Sequence, residues 1–148
     1  MSNSNVVGIP FNSREIKFKY IFKTYDGRFI VKIFTLKELE YGGLQNFLSG
    51  LNDIIIVAKR QYTGLKDKTG KEIYEGDTLK MYAGRKELLK NKFKVVFING
   101  AFGFQILNSN LYSDFSSFIK YSDDCYNNGY DDDISNYIKV IGNVFENA

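Results

Sequence analysis

Hydrophobic and polar side chains alternate from Glu15 to Tyr20 in the segment "REIKFKYIF", where Ile21 interrupts the pattern before Phe22. Every second residue from Ile16 onward is apolar, so an extended chain places its apolar side chains on one face and its charged ones on the other. The turn signal "YDG" follows at Tyr25, and "RFIVKIF" then reads as a returning strand. This pattern predicts two strands joined by a short turn.

A second strand pair is predicted from Phe93 to Leu107, on either side of Asn99 and Gly100. The Asn-Gly dipeptide supplies the two positive-φ residues that a tight type I′ turn requires. Further strands are predicted from Asp53, at "TLKMY" and at the C-terminal "YIKVIGNVFEN". Alternation places the following residues in one core, with a register that is open by one position in "VVF" and "KVI": Ile16, Phe18, Tyr20, Ile55, Val57, Val95, Phe97, Val140 and Ile141.

The predicted helices are short. "TLKE", from Thr35 to Glu38, fits a capping box, and the two glycines at 42 and 43 stop the helix that it starts. The segment "NSNLYSDFSSFIKY" spaces its apolar residues at helical intervals, and the acidic segment "SDDCYNNGYDDDISN" after it is interpreted as a loop. The pattern as a whole predicts a mainly β chain with a few short helices.

The segment "QYTGLKDKTGKEIYEGDTLKMY", from Gln61 to Tyr82, combines two turn signals with strand restarts. Its "TGK" is reminiscent of a phosphate-binding loop, but Gly70 and Lys71 are followed by Glu72 where that motif needs Ser or Thr. We therefore interpret the segment mainly as shape-specifying turns. Three glycines in these turns and in the later hairpin are expected at positions that tolerate a side chain poorly: Gly70, Gly76 and Gly100.

Three motifs together resemble the YopX family of small bacteriophage and prophage proteins, in which no activity is established. They are "REIKFKY" at Arg14, "QYTGLKDKTGKEIYEGD" at Gln61 and "YIKVIGNVFEN" at Tyr137, in the family's order. The resemblance implies a mainly β, folded-over small barrel (a pseudobarrel) with short helices at its ends. It also implies multi-chain assemblies, so a homo-oligomer is expected.

Length and composition favour one domain over residues 14–148, preceded by a flexible N-terminal arm over residues 1–13. The chain has 148 residues, and no stretch has the length and apolarity of a membrane helix or of a signal peptide. Cys125 is the only cysteine, which excludes an intrachain disulfide and favours a reducing compartment. We expect a cytoplasmic protein, in the bacterial host cell, with no membrane partner.

The sequence contains no histidine, which removes the usual general base and the commonest metal ligand. The acidic segment matches a calcium loop at Asp124, Asn128 and Gly129 but departs from it at Tyr126 and Ser135. We therefore expect neither a catalytic site, nor a cofactor, nor a metal site. The carboxylates are interpreted as solvated.

Charge is distributed unevenly along the chain. Between residues 83 and 94, five basic residues stand against Glu87, whereas six acids stand against Lys120 between residues 114 and 133. A basic patch attracts phosphate, but a lysine-rich surface also simply keeps a protein soluble, and complementary patches on neighbouring copies would explain the same asymmetry.

Two principal hypotheses of function, and a third alternative, are consistent with these observations. One is a non-catalytic accessory protein that sequesters a nucleotide or another phosphorylated small molecule, with counter-defence as one role open to it. The other is an inhibitor or modulator that docks on a host protein or nucleic acid, with a structural phage component as a third alternative. Under the first hypothesis, lysine or arginine would hold phosphate and tyrosine rings would stack on a base, and the candidate residues are Lys71, Lys80, Arg85, Lys86, Tyr62, Tyr74 and Tyr82.

Overall fold

The structure is a computed structural model that describes residues 15–83, 86–87, 91–130 and 133–145. The predicted N-terminal arm, residues 1–13, lies outside them. Ten strands in the described residues have these bounds: β1 Lys17–Lys23, β2 Phe29–Thr35, β3 Ile55–Lys66, β4 Glu72–Tyr74, β5 Asp77–Ala83, β6 Lys86–Glu87, β7 Phe93–Ile98, β8 Ala101–Ile106, β9 Phe115–Ser117 and β10 Ile138–Asn143. Three α-helices have these bounds: α1 Leu36–Glu40, α2 Gly43–Ser49 and α3 Phe118–Asn127. Two short 3-10 helices cover Tyr112–Asp114 and Ile134–Tyr137.

The strands form two antiparallel sheets. The first has the order β2-β1-β3-β4, and the second has the order β10-β5-β7-β8-β9 with β6 beside β5. The chain crosses from the first sheet to the second through the β3–β4 hairpin and the turn that leads into β5. The predicted mainly β class with short helices is confirmed. Within the described residues, the strands do not close into one continuous barrel.

Both hairpins predicted from the sequence are present. β1 pairs with β2 in register from Lys17 opposite Thr35 to Lys23 opposite Phe29. In the second sheet, β7 pairs with β8 around Asn99 and Gly100, whose φ angles of 52° and 82° are both positive, as a type I′ turn requires.

The prediction of one shared core is wrong, because the buried residues form two separate clusters, the larger of which also contains Ile73 of β4. The first sheet packs Tyr20, Phe22 and Phe34 against residues of α1 and α2. The second sheet packs the larger cluster, which includes Leu79, Met81, Phe93, Val95, Phe104, Phe118, Ile138 and Val140. In "VVF" and "KVI", the residues that point into the core are therefore Val95 and Val140.

Five residues assigned to the core are instead 36–62% exposed: Ile16, Ile55, Val57, Phe97 and Ile141. Ile141 is exposed because β10 turns Ile138 and Val140 inward, whereas Phe97 shares the face of Phe93 and Val95 but lies near the end of β7, outside the buried cluster. On β3, the pairing with β1 shifts register between Ile21 and Phe22, and the strand buries Ala58, Arg60 and Tyr62. A buried arginine on this strand is not a feature that hydrophobic alternation can predict.

The first helix agrees with the prediction from the sequence, whereas the C-terminal helix differs from it. The capping box is confirmed, since the Glu38 N–H donates to Thr35 Oγ1 and the Thr35 N–H donates to Glu38 Oε1, at 3.1 and 2.8 Å. The C-terminal helix begins later than expected, at Phe118, and continues through part of the segment interpreted as an acidic loop. No helix among the described residues is long and apolar enough to cross a membrane.

Candidate functional site

The β3–β4 hairpin tip is organised by the buried carboxylate of Asp67, which is 4% exposed. Its Oδ1 accepts hydrogen bonds from Thr69 N, Thr69 Oγ1 and Lys71 N at 2.7–3.0 Å. Its Oδ2 accepts from Val140 N of β10 at 2.9 Å. Burial alone would raise the pKa of Asp67, but these hydrogen bonds hold the pKa below its ordinary value. The tip is therefore fastened to the second sheet, which supports the interpretation of shape-specifying turns.

The following turn contains a buried ion pair. Arg60 of β3 donates from Nη2 to Asp77 Oδ1 and from Nε to the Glu75 carbonyl, the latter at 2.7 Å. Asp77 Oδ2 accepts from Tyr74 N at 2.8 Å. Burial raises the pKa of Asp77 above its ordinary value, against the opposing effects of the Tyr74 N–H and of Arg60. Nothing in the sequence pattern singles out Arg60 as a buried residue.

Two of the tyrosines proposed for base stacking lie in the interior. Tyr74 is 1% exposed, and its ring centroid lies 5.4 Å from that of Tyr62. The ammonium groups of Lys17 and Lys19 lie over the two rings, 4.9 Å from Tyr62 and 4.2 Å from Tyr74. Burial raises the pKa of both phenols. These rings pack the fold and offer no open face to a base in this structure.

Lysines collect instead on the outer face of the second sheet, the face opposite its core. Leu79 and Met81 of β5 point into the core, so Lys80 and Tyr82 point outward. The β5–β10 register places Lys139 directly opposite Lys80. Lys80 and Lys139 thus form a cross-strand pair of like charges. Like charges at opposing positions repel each other.

The same face continues onto β7 and β8. Thr78 of β5 is opposite Lys94, and Lys94 is opposite Gln105. Lys94 Nζ donates to Asn110 Oδ1 at 3.3 Å. By extension of this register, the exposed Lys92 precedes β7 on the same face and beside Lys80. Lysines from three adjacent strands therefore face one surface.

A further lysine joins this surface from the hairpin tip. Lys68 N donates to the Ile138 carbonyl of β10 at 2.8 Å, and its ammonium lies 4.3 Å from the centroid of the Tyr82 ring. We call the surface formed by Lys68, Lys80, Tyr82, Lys92, Lys94 and Lys139 the basic face. Within the described residues, no ion pair involves Lys68, Lys92, Lys94 or Lys139.

Of the seven predicted residues, the structure brings Lys80 and Tyr82 together on the basic face. Lys71 is exposed at the hairpin tip that carries Lys68. Arg85 lies outside the described residues, and Lys86 is described only as part of β6. Sequence reasoning missed Lys68 and Lys139 and included Lys92 and Lys94 only in the basic stretch 83–94, because only the strand pairing shows that these lysines share a surface with Lys80.

The acidic part of the chain shows no metal site among the described residues, where no three potential ligands of the His, Cys, Asp and Glu types cluster. Asp124 pairs with Lys120 at 3.1 Å along α3. Burial raises the pKa of the Cys125 thiol, and the charge of Asp124 acts in the same direction, so the thiolate is disfavoured. Asp131 and Asp132 lie outside the described residues.

Comparison with known proteins identifies the family of this chain. No protein of curated function matches the chain. The crystal structure of protein EF1440 from Enterococcus faecalis is similar at 25% sequence identity, covering 86% of this chain and 72% of that one, with a TM-score of 0.34. Residues 37–148 match the YopX protein family, a span that contains the motifs at Gln61 and Tyr137 and begins after the motif at Arg14. Because the match covers most of its length, the chain belongs to the YopX family.

Proposed function

We propose that this protein binds a phosphorylated small molecule, such as a nucleotide, on the basic face and holds it without transforming it. The observation that carries the proposal is the pairing of Lys80 with Lys139 directly across two hydrogen-bonded strands. Like charges at opposing positions of an antiparallel pair destabilise a sheet. Both ammonium groups would attract a phosphate that binds at this pair.

The surrounding residues suit the same ligand. Lys94 and the exposed Lys92 extend the positive surface along β7, and Lys68 brings a third source of charge from the hairpin tip. The Tyr82 ring is half-buried, with the Lys68 ammonium over it, and adds an aromatic side chain to the basic face. Strands fix the backbone of these lysines, so their positive charges stay close together before a ligand arrives.

Holding rather than transforming the ligand is consistent with a chain that has no histidine for general acid–base chemistry. In a bacterial cytoplasm that contains a phage or prophage, such a protein would lower the free concentration of a nucleotide signal. Sequestration of a host defence signal is the counter-defence role that we propose.

Charge reversal tests the proposal. Lys139→Glu places a carboxylate opposite Lys80 and should weaken binding of AMP or ATP, measured by calorimetry, by at least tenfold. Lys37→Glu on α1 is the matched control, because Lys37 is exposed on another element and its reversal changes net charge equally. Added salt should weaken wild-type binding.

Three results would overturn this proposal: no binding of either nucleotide by the wild type up to millimolar concentration, equal loss in both variants, or affinity that does not depend on salt. The first would leave docking on a host protein or nucleic acid as the function to pursue by pull-down from host lysate.

A second observation favours protein contact, and we propose a second copy of this chain as the partner. β2 is an edge strand among the described residues, and its Phe29, Val31 and Ile33 are 44–46% exposed. An open edge with apolar side chains is a template for another strand, and a second copy brings an identical edge that pairs across a twofold axis. Light scattering should show an oligomer for the wild type and a smaller species for Val31→Lys, whereas a monomeric wild type would reject this interface.

A further inference from the structure

A cavity of about 470 Å³ opens between β3 and the second sheet, next to the basic face. Lys94 and Val96 line it from β7, Gln105 from β8, and Phe145 from the segment after β10. It thus combines a cation that already belongs to the basic face with two apolar side chains and a buried amide. The lining also includes Lys59, Glu75 and Asn110, so apolar and polar groups share it, and such a mixture can hold a small organic ring and orient it by hydrogen bonds.

Gln105 is the unusual member of this lining. Its side chain is 4% exposed, and its Nε2 donates to the Leu111 carbonyl at 2.8 Å. This donor contact fixes the orientation of the amide, because a carbonyl accepts only from the nitrogen side. Within the described residues, Oε1 then accepts no hydrogen bond. A buried acceptor without a donor is costly, and native structures keep few of them.

We propose that this cavity holds the base of the bound nucleotide and that Gln105 Oε1 accepts a hydrogen bond from an exocyclic amino group, as on adenine. The inference rests on the proposed function and adds the class of base to it. Val96 and Phe145 contact the ring of the base, while Lys94 lies between the cavity and the remaining lysines.

The spacing of the sheet is compatible with one ligand reaching both places. Gln105 is two strands from β5, and Lys80 is two residues along β5 from Thr78, which shares the row of Lys94 and Gln105. At a strand spacing of about 4.8 Å and a rise of about 3.4 Å per residue, the Cα atoms of Gln105 and Lys80 are roughly 12 Å apart. Long lysine side chains shorten the remaining gap to a phosphate on the ribose.

AMP and IMP test this proposal, because they differ where adenine has an amino group and hypoxanthine has a carbonyl. The wild type should bind AMP about tenfold more tightly than IMP, since the carbonyl of IMP cannot donate to Oε1. Gln105→Met keeps the length of the side chain and removes the acceptor, so it should reduce the preference for AMP to near unity. Lys139→Glu should weaken both nucleotides by the same factor and leave the preference intact.

The outcomes separate the two proposals. Equal wild-type affinity for AMP and IMP, with both weakened by Lys139→Glu, would overturn the role of Gln105 and leave phosphate binding in place. Failure of the wild type to bind either nucleotide would overturn the proposed function and the base site together. The comparison of AMP with IMP on the wild type decides the matter even if Gln105→Met does not fold.

Discussion

Gly76 and Gly100 have nearly the same φ angle but very different surroundings. Both have a positive φ, of 88° and 82°, which disfavours any residue with a Cβ atom. Gly100 has nothing within 4 Å of the position a Cβ would take, whereas a Cβ on Gly76 would overlap the ring of Phe145. Gly76 is also hydrogen-bonded on both sides, from its N–H to the Val95 carbonyl and from Val144 N to its own carbonyl, both at 2.9 Å. Gly76 thus lies where the turn before β5 passes under the C-terminal segment.

Substitution with alanine should separate these two effects. Gly100→Ala should lower the free energy of unfolding by about 1 kcal/mol, the cost of backbone strain alone. Gly76→Ala should cost about 2 kcal/mol or more, because the ring of Phe145 must also move. Denaturant unfolding of both variants measures the difference.

Phe145→Leu supplies the control for this comparison. In that background, Gly76→Ala should cost little more than Gly100→Ala does in the wild type. An unchanged excess cost would show that the Phe145 ring is not the obstacle. A neutral Gly100→Ala would contradict the type I′ turn between β7 and β8.

At the scale of elements, the side chain of Asp67 supplements an interrupted backbone pairing in the β3–β4 hairpin. The pairing of the two strands is broken between Tyr62 and Lys66, and only short stretches are in register. Asp67 compensates by closing the tip through three hydrogen bonds and by accepting a fourth from β10. The hairpin is therefore an appendage of the second sheet as much as a part of the first.

Asp67→Asn should destabilise the protein by about 1–3 kcal/mol at neutral pH, because the amide nitrogen that replaces one oxygen leaves a buried donor unpaired. The effect should depend on pH. The folded-state pKa of Asp67 lies below its unfolded value, so the stabilisation by the carboxylate is complete above the unfolded pKa of about 4 and is lost as the pH falls through the folded pKa.

The difference in unfolding free energy between wild type and Asp67→Asn should therefore shrink below about pH 4. Urea titrations at several pH values measure it. A difference that stays constant from neutral to strongly acidic pH would show that the charge on Asp67 does not contribute. Thr69→Ala, which removes a single donor to the same oxygen, should have a smaller effect in the same direction.

At the scale of the whole molecule, the Arg60–Asp77 pair joins the two sheets. Arg60 belongs to β3 of the first sheet and Asp77 begins β5 of the second. Both side chains are almost completely buried, and the Phe145 ring lies 5.5 Å from the guanidinium carbon. Buried charges are expensive to desolvate, so the pair stabilises the structure only while both partners and their other hydrogen bonds are present.

Removing one partner should be more harmful than removing both. Arg60→Met should cost about 3–5 kcal/mol, because it leaves Asp77 buried without its counter-charge. Adding Asp77→Asn should recover part of that loss, since a neutral amide is cheaper to bury. Thermal or denaturant unfolding of the single and double variants forms the cycle.

The exposed Lys120–Asp124 pair on α3 provides the matched control. Lys120→Met should change stability by no more than about 0.5 kcal/mol, as is usual for solvent-exposed pairs within a helix. If Arg60→Met were equally mild, the buried pair would not be what fastens β3 to β5.

Part of this architecture was predictable because it is encoded locally. Asn99 and Gly100 specify their turn through backbone conformations that few other residues adopt, and Thr35 and Glu38 cap α1 through contacts three residues apart. Alternation likewise identified β1, since side chains on a strand change sides at every residue. Such features depend on neighbours in the chain and not on the rest of the fold.

The sequence by itself therefore determined the mainly β class, the principal hairpins, the capped first helix and the motifs that mark the YopX family. Only the tertiary structure decided which lysines share a surface, that the buried residues form two separate cores, and that Arg60, Asp67 and Gln105 are buried. The physical reason is the range of the interactions. A turn or a cap is fixed by residues a few positions apart, whereas Lys80 meets Lys139, and Asp67 meets Val140, only after strands distant in sequence have paired.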